Sequence, residues 1–217
     1  MTAPPGLEAV HAAVERYYAG CLRRHGATPM GVDWRCLPTQ QLRFARLLQV
    51  VESWDGVSIN DLGCGYGALL DFLAERHEPA GIDYCGADLS AAMIRRARRR
   101  WPRHAFRIGA TPGRLADYGL ASGLFNVRLD HPEPLWEAFI RDTLGILHAT
   151  SRRGFAVNFM LARADGRPGR EGLYRTRPEP WIRHCETAFG ADVALAHGEG
   201  LGEFTLLVHR PPASAGR

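Results

Sequence analysis

A glycine-rich run and an acidic residue that follows it could together bind a nucleotide. The run is Asp61-Leu62-Gly63-Cys64-Gly65-Tyr66-Gly67; the residues before it predict a strand, and those after it predict a helix. Because glycine has no Cβ, a ligand can approach the main chain of such a turn closely. About twenty residues later, Asp88 ends a second predicted strand, where its carboxylate could bind a ribose. Ligands of open α/β sheets bind beyond the carboxyl ends of the strands, so these residues predict a nucleotide site.

Two classes of nucleotide fit this spacing. Read as Gly63-x-Gly65-x-x-Ala68, the turn also matches the dinucleotide fingerprint, which leaves NAD open. Asp61 immediately precedes the glycines, and a carboxylate there repels a pyrophosphate but attracts an ammonium or sulfonium group. The turn also follows two predicted helices instead of opening the chain. The residues therefore favour a cationic, phosphate-free nucleoside.

Alternating strands and helices must position these residues. Apolar spacing predicts one helix over 7–25, ended by Gly26, and another from about Thr39 to Trp54, with Thr39 as its cap. Further along the chain, strands are predicted at 57–62, up to Asp88, and at 105–109, 118–122 and 154–160. Helices are predicted at 67–77, 90–101, 135–150 and 180–188. This alternation predicts a parallel, doubly wound sheet.

The last part of the chain departs from that alternation. Two predicted strands, 192–196 and 203–210, flank a short glycine-rich link, which is typical of a hairpin and makes one sheet edge antiparallel. We expect a single Rossmann-like α/β domain. Residues 1–56 would form a helical cap or lid, 57–210 the core, and 211–217 a disordered tail. A length of 217 residues, of which 46% are hydrophobic, suits one such domain.

Composition excludes several other classes of protein. The net charge of +4 is a mild excess that does not by itself indicate nucleic acid, and much of it comes from Arg95–Arg100, on a helix whose arginines should be solvated. The five cysteines form no C-x-x-C pair and no zinc spacing, which predicts a reducing cytoplasm and no metal. Charged residues recur too often for a membrane span, and we expect no leader peptide.

Two segments carry a resemblance to a known family. DLGCGYG at 61–67 resembles the first motif of class I S-adenosylmethionine-dependent methyltransferases, and YCGADLSAAMIRRA at 84–97 resembles their second. A likeness to a group of bacterial small-molecule methyltransferases extends over nearly the whole chain, through GVDW (31–34), QQLRF (40–44), DYGLASGLFN (117–126), GFAVNF (154–159) and GEFTLLVHR (202–210). The resemblance implies S-adenosylmethionine as the methyl donor and S-adenosylhomocysteine as the product.

The resemblance also implies which residues bind this cofactor. Asp61, Gly63 and Gly65 would hold its amino-acid end, and Asp88 its ribose hydroxyls. The adenosine would lie against the apolar side chains of Leu89 and Met93, and the edge of the adenine against the loop of Gly109, Ala110 and Thr111. The methyl group of the cofactor would face Ser122 and Gly123, after the fourth strand. Many relatives have an acidic residue where this chain has Ala110, so backbone groups would recognise the adenine.

Arg43 is open to two interpretations. It could pair with the carboxylate of the cofactor, or it could be an ordinary solvated arginine on a helix.

Methyl transfer from a sulfonium is an in-line displacement, in which the enzyme mainly aligns the reacting atoms. A general base is needed only if the acceptor must lose a proton, so no catalytic residue is assigned. The candidates for a base are Asp130, His131, Tyr174 and His184. Aromatic side chains could form walls for a flat acceptor or simply pack; they are Tyr17, Tyr18, Trp34, Trp136 and Trp181. We expect acceptor recognition in the helices before residue 57 and in the polar 163–179 segment.

The sequence thus predicts methylation of an N or O atom on a small aromatic or heterocyclic acceptor, by a monomer or homodimer. A nucleic-acid methyltransferase is disfavoured, because the Asn/Asp-Pro-Pro-aromatic run of DNA base methyltransferases is replaced by Ser122–Asn126. The sequence also leaves open an NAD-linked oxidoreductase and a non-catalytic accessory protein that binds the cofactor.

Overall fold

The computed structural model describes residues 6–76, 81–163, 170–198 and 202–211. Seven strands form one sheet in the order β3-β2-β1-β4-β5-β7-β6. In chain order they are β1 Ser58–Leu62, β2 Asp83–Asp88, β3 Ala105–Ile108, β4 Ala116–Ala121, β5 Ser151–Met160, β6 Asp192–Gly198 and β7 Glu203–His209. Strands β1 to β5 pair in parallel, whereas β7 runs antiparallel to both β5 and β6. The predicted Rossmann-like α/β fold, mostly parallel with an antiparallel C-terminal hairpin, is confirmed.

Six helices accompany the sheet in the described part of the chain. They are α1 Leu7–His25, α2 Leu37–Leu47, α3 Ala68–Ala74, α4 Ala91–Arg100, α5 Glu133–Ala149 and α6 Glu179–Phe189, with short 3-10 turns at Pro29–Val32 and Leu48–Val50. One apolar core lies beneath α2, α3 and α4, and the other beneath α1, α5 and α6. The arginines of α4 face solvent, as predicted, while Met93, Ile94 and Ala97 are buried. None of the helices described combines the length and apolar character needed to cross a bilayer.

The second helix differs from its predicted bounds. It begins at Leu37 with Cys36 as its cap, because Pro38 fits the first turn of a helix, where no backbone N–H is required. Thr39 lies inside that turn, and its Oγ1 donates to the Cys36 carbonyl at 3.0 Å, so its predicted capping role is wrong. The helix ends at Leu47 and tightens into a 3-10 turn, which leaves Trp54 outside it.

Helix α1 spans the two helical layers. Its first half packs Leu7, Val10 and Val14 into the core beneath α5, while Leu22 near its end packs with Tyr66 and Met93. Since right-handed crossovers place α4 and α5 on opposite faces of the sheet, α1 lies across the edge where the parallel strands end. That edge holds the predicted site. Apart from Pro211, the predicted disordered tail lies outside the described residues.

Candidate active site

A cleft opens at the carboxyl ends of β1, β2 and β4, where the strand order reverses. Such a switch point is the usual ligand site of an open α/β sheet. The cleft encloses about 1030 Å³ when its solvent-open part is included. Ten predicted site residues line it: Asp61, Gly63, Gly65, Asp88, Leu89, Met93, Gly109, Ala110, Ser122 and Gly123. Arg43 and Thr111 are not among the lining residues.

The glycine turn has a backbone that favours glycine. Gly63, Gly65 and Gly67 have φ values of +74°, +56° and +89°. The N–H groups of Gly63 and Cys64 both donate to the Ala87 carbonyl, at 2.8 and 3.1 Å, which fastens the turn to the end of β2. A Cβ on Gly63 would lie 2.5 Å from Cδ1 of Leu124, another cleft residue. The absence of a side chain at Gly63 therefore allows Leu124 to pack closely against the turn.

Asp88 holds the turn from the other side. Its Oδ2 accepts a hydrogen bond from the Gly65 N–H at 2.9 Å, and its Oδ1 accepts one from the Ser90 N–H at 2.8 Å. Burial raises the pKa of Asp88 to about 6, against the opposing effect of these two N–H donors. Each carboxylate oxygen retains a further lone pair, so Asp88 can organise the turn and still accept hydrogen bonds from a ligand.

Asp61 is a carboxyl group of the cleft whose pKa is raised well above its usual range. Burial raises its pKa to about 7, Asp88 adds to the rise, and the Tyr84 hydroxyl, which donates to its Oδ2 at 2.7 Å, opposes it. A buried carboxylate at the end of β1 gains stability when a cation lies beside it. The position thus suits an ammonium group.

Several aromatic side chains are among the residues that line the cleft. Tyr18, Trp34, Phe44 and Phe139 line it, and the ring of Trp34 lies against Gly123. A Cβ on Gly123 would fall 2.2 Å from Cζ2 of Trp34, so only glycine fits beneath that ring. Of the five aromatic residues in the sequence prediction, Tyr18 and Trp34 line the cleft.

The other three predicted aromatic residues lie elsewhere. Trp136 and Trp181 are 0% and 1% exposed and belong to the core beneath α5 and α6. Tyr17 donates from its hydroxyl to Asp33 at 2.8 Å and is not a lining residue. The packing interpretation is therefore correct for the two tryptophans, which are large enough to fill that core.

Two cleft residues have buried polar atoms without a hydrogen-bond partner in the described structure. They are Oε1 of Gln40, a residue only 2% exposed, and Oγ of Ser122. Leaving such an atom unpaired costs about 1–3 kcal/mol, so both atoms are available to a ligand. Gln40 was missed in the sequence, although it lies within the QQLRF segment.

His11 and Glu15 were also missed. They lie one turn apart on α1, and with Tyr18 they direct one face of that helix into the cleft. Burial lowers the pKa of His11, which keeps its imidazole neutral near neutral pH. The helical spacing of His11, Glu15 and Tyr18 was visible in the sequence, but nothing there indicated which part of α1 covers the strand ends.

None of the four predicted candidates for a base lines the cleft. The ring of His131 stacks on Trp136, and the Tyr174 hydroxyl donates to Glu137 at 3.4 Å. His184 lies on α6 with its ring edge against Phe189, and Asp130 is exposed in the loop before α5. Residues 164–169 are not described by the structure. None of the other residues of the 163–179 segment lines the cleft.

Arg43 is buried and paired within the protein. Its guanidinium pairs with both oxygens of Glu203, at 2.7 and 2.5 Å, and donates to the Thr39 carbonyl at 2.8 Å. The residue is 8% exposed, so the solvated-arginine interpretation is wrong. Binding of the cofactor carboxylate stays a prediction, but the described contacts already engage all three guanidinium nitrogens.

Comparison with known proteins identifies the family. A family model described as a methyltransferase domain matches residues 59–147. Rv1506c of Mycobacterium tuberculosis, a protein named as a methyltransferase, is 43% identical over 166 residues, covering 75% of this chain and 99% of that protein. The chain belongs to the class I S-adenosylmethionine-dependent methyltransferases.

Solved structures and a second relative agree with this assignment. The methyltransferase superimposes on magnesium protoporphyrin IX methyltransferase from Synechocystis, bound to S-adenosylhomocysteine, with a TM-score of 0.65 at 18% identity, covering 94% of this chain and 99% of that one. Human N-acetylserotonin methyltransferase gives 0.63 at 17% identity, covering 95% and 60%. Nocamycin O-methyltransferase of Saccharothrix syringae is 33% identical over 144 residues, 64% of this chain and 44% of that protein. S-Adenosylmethionine is the cofactor of this methyltransferase.

The cleft fits this cofactor. Gly63 and Gly65 of the glycine turn line it, Asp61 and Asp88 supply carboxylates for a cation and a ribose, and Gln40 has an unpaired acceptor. No arginine or lysine is among the lining residues that the structure describes, as suits a cofactor without phosphates. The described residues also contain no cluster of His, Cys, Asp and Glu that could hold a metal ion.

We expect Gly63→Ala to weaken S-adenosylmethionine binding about tenfold. The new methyl group would displace Leu124, another lining residue of the cleft, and a side chain at a φ of +74° adds about 1–3 kcal/mol of strain. Isothermal titration calorimetry measures the affinity. Gly145→Ala is the matched control, because Gly145 lies in α5 with open space around its Cβ position. Equal affinities of the two variants would contradict the role of the turn.

Proposed function

We propose that the methyltransferase transfers a methyl group to an N or O atom of a small aromatic or heterocyclic acceptor. The observation that carries this proposal is the presence of four aromatic side chains, Tyr18, Trp34, Phe44 and Phe139, among the residues that line the cleft, which makes it suitable for a flat ring. Two proteins similar to this chain are named for small-molecule chemistry, nocamycin O-methylation and N-acetylserotonin methylation. These names support a small acceptor without identifying it.

In the proposed site, each part of the cofactor meets residues of this chain. Asp61 and Gln40 would receive the ammonium group on the glycine turn, and Asp88 would accept hydrogen bonds from the ribose. Leu89, Met93, Gly109, Ala110 and Thr111 would surround the adenosine. S-Adenosylmethionine supplies an electrophilic methyl group, and the chain aligns an acceptor atom in line with it, which can lower the barrier by several kcal/mol. Residues 1–56 would form the lid over 57–210.

In the proposed site, the Ser122 hydroxyl and the neutral imidazole of His11 would be the polar groups near the methyl group of the cofactor. The unpaired Oγ of Ser122 would hydrogen-bond the acceptor and orient it. His11 is in the protonation state to take up a proton, because burial lowers its pKa. No general base is assigned, since an acceptor that is already nucleophilic needs none.

Charge argues against NAD and against a nucleic-acid acceptor. Glu15 and Asp61 both line the cleft, and they would repel the pyrophosphate of NAD. Arg95, Arg96 and Arg99 are exposed towards the C-terminal end of α4, whereas the cleft is lined by Met93 nearer its N-terminal end. A nucleic acid bound to these arginines would not be placed at the methyl group by that contact.

An acceptor screen tests the proposal. Purified protein with S-adenosylmethionine is offered phenols, aromatic amines, N-heterocycles, tRNA and duplex DNA, and S-adenosylhomocysteine release is measured. Trp34→Leu is the matched variant, because it removes a ring from the cleft and not from the glycine turn. We expect turnover of a ring compound that falls at least tenfold in this variant. Turnover of nucleic acid alone would indicate a nucleic-acid methyltransferase, and cofactor binding without any turnover would indicate an accessory protein.

We expect cofactor affinity to depend on pH through Asp61. With a pKa near 7 in the free protein, Asp61 must lose its proton to receive the ammonium group, so affinity falls as the pH drops through about 7. The fall approaches about tenfold per pH unit, because one proton is released on binding. Calorimetry from about pH 5.5 to 8 measures it.

The control for this pH dependence is Asp61→Asn. It should bind more weakly at pH 8 and retain only the shallower dependence that Asp88, with a pKa near 6, contributes. Wild-type affinity that stays constant across the range would show that Asp61 does not face the ammonium group.

A further inference from the structure

A buried chain of hydrogen bonds connects four separate parts of the fold. Arg43 on α2 pairs with Glu203, the first residue of β7; Glu203 Oε2 accepts from Nδ2 of Asn158 on β5 at 3.0 Å. Asn158 Oδ1 in turn accepts from the N–H of Gly123, after β4, at 2.7 Å. Asn158 is 1% exposed, and the side chains of Arg43 and Glu203 are 9% and 5% exposed. These three side chains are therefore largely shielded from solvent, which strengthens the contacts between them.

Trp34 contacts both ends of this chain of hydrogen bonds, Arg43 and Gly123. The guanidinium carbon of Arg43 lies 4.0 Å from the centre of the Trp34 ring, and Cζ2 and Cη2 of the same indole lie against Gly123. Arg43 thus fixes Trp34 directly by stacking, and it fixes Gly123 indirectly through Glu203 and Asn158. Trp34 and Gly123 both line the cleft, next to Ser122.

We propose that Arg43, Glu203 and Asn158 are positioning residues, which hold Trp34 and Gly123 together as one rigid wall of the acceptor side of the cleft. The proposal differs from a direct contact between Arg43 and the cofactor, because the guanidinium nitrogens are engaged by Glu203 and Thr39. The role toward an acceptor rests on the function proposed above. The mechanical connection from Glu203 to Trp34 does not.

The geometry also explains why these residue types are needed. The planar guanidinium offers two parallel donors to a carboxylate and a flat face to an indole, which a lysine cannot do at once. Asn158 uses both ends of its amide, donating to a carboxylate and accepting from a main-chain N–H. A substitution at Glu203 should therefore affect Trp34, which stacks on the face of the same guanidinium.

The test uses 19F NMR of protein labelled with 5-fluorotryptophan, in the presence and absence of S-adenosylhomocysteine. The chain has five tryptophans, and Trp34→Phe assigns the relevant resonance. Glu203→Gln keeps the shape of the side chain but places an amide NH₂ or a neutral oxygen against Arg43. We expect the Trp34 resonance to shift or broaden and the other four to stay, with S-adenosylhomocysteine affinity within twofold of wild type.

A second variant and a control keep the test decisive if Glu203→Gln does not fold. Arg43→Lys retains the charge beside Glu203 and loses the paired donors and the stacking face, so it should move the same resonance. Glu52→Gln makes the same chemical change in the exposed pair of Glu52 and Arg153, 2.9 Å apart, and should move none. A Trp34 resonance unmoved in both Glu203→Gln and Arg43→Lys would overturn the proposal. So would a loss of S-adenosylhomocysteine affinity of tenfold or more in either folded variant, because the pair would then serve the cofactor.

Steady-state kinetics test whether these residues also position the acceptor. The acceptor used is the ring compound that is turned over fastest in the acceptor screen. We expect Glu203→Gln to raise the KM for that acceptor at least fivefold and to leave the KM for S-adenosylmethionine unchanged. A general loss of packing would move both constants. If the screen finds no acceptor, the proposed function fails, whereas the NMR result for Trp34 still decides the mechanical connection.

Discussion

Asp88→Ala is expected to lower the affinity for S-adenosylmethionine at least a hundredfold. In the proposed site, the carboxylate accepts hydrogen bonds from the ribose while it holds the N–H groups of Gly65 and Ser90. Hydrogen bonds to a charged group contribute about 1.5–3 kcal/mol each, and each 1.4 kcal/mol is about a factor of ten in affinity. Losing two ribose contacts therefore accounts for about two orders of magnitude, before any loosening of the turn. Calorimetric titration with S-adenosylhomocysteine measures the effect without turnover.

The same strand provides the control for this prediction. Asp83 begins β2 as Asp88 ends it, and its carboxylate forms an exposed pair with Arg114 at 2.6 Å, away from the cleft. Asp83→Ala should leave cofactor affinity unchanged. Asp88→Asn should lie between alanine and wild type, because the amide oxygen can still accept from one backbone N–H. If Asp88→Ala bound within threefold of wild type, Asp88 would be a structural cap for the turn and nothing more.

The sequence was sufficient to predict the elements around this turn. The glycines, the strand before them and the helix after them follow from local rules, and so does the placement of Asp88 at the end of β2. The glycine-rich link was enough to predict the antiparallel hairpin of β6 and β7. These features need no knowledge of distant contacts, because each depends on the period of the apolar residues or on a turn between neighbours.

The contacts that complete the site depend on distant parts of the chain. Arg43 and Glu203 are separated by 160 residues, and nothing near either residue indicates the other. Similarly, His11 and Glu15 enter the cleft because α1 crosses the strand ends, which is a matter of tertiary packing. The sequence placed Tyr18 and Trp34 among five aromatic residues without distinguishing them from the core residues Trp136 and Trp181. Burial, not residue type, makes that distinction.

Glu203→Ala is expected to reduce the free energy of unfolding by about 3–5 kcal/mol, because it leaves the buried guanidinium of Arg43 without its carboxylate. For a chain of this size the melting temperature should fall by about 10 °C. Guanidinium chloride unfolding measures the loss. Glu52→Ala, in the exposed pair with Arg153, should change stability by about 0–1 kcal/mol.

A double variant separates the cost of an unpaired charge from the value of the pair. Arg43→Met combined with Glu203→Leu removes both charges and fills their space with apolar groups, which often matches or exceeds the stability of a buried ion pair. We expect it to recover most of the stability lost in Glu203→Ala, apart from the Asn158 Nδ2 donor, which stays unpaired. It should not recover the position of Trp34, since methionine offers no planar cation to stack on the indole. Recovery of stability without recovery of the Trp34 resonance would mean that the pair specifies the shape of the cleft more than it stabilises the fold. A double variant as unstable as Glu203→Ala would instead show that the pair itself is a net source of stability.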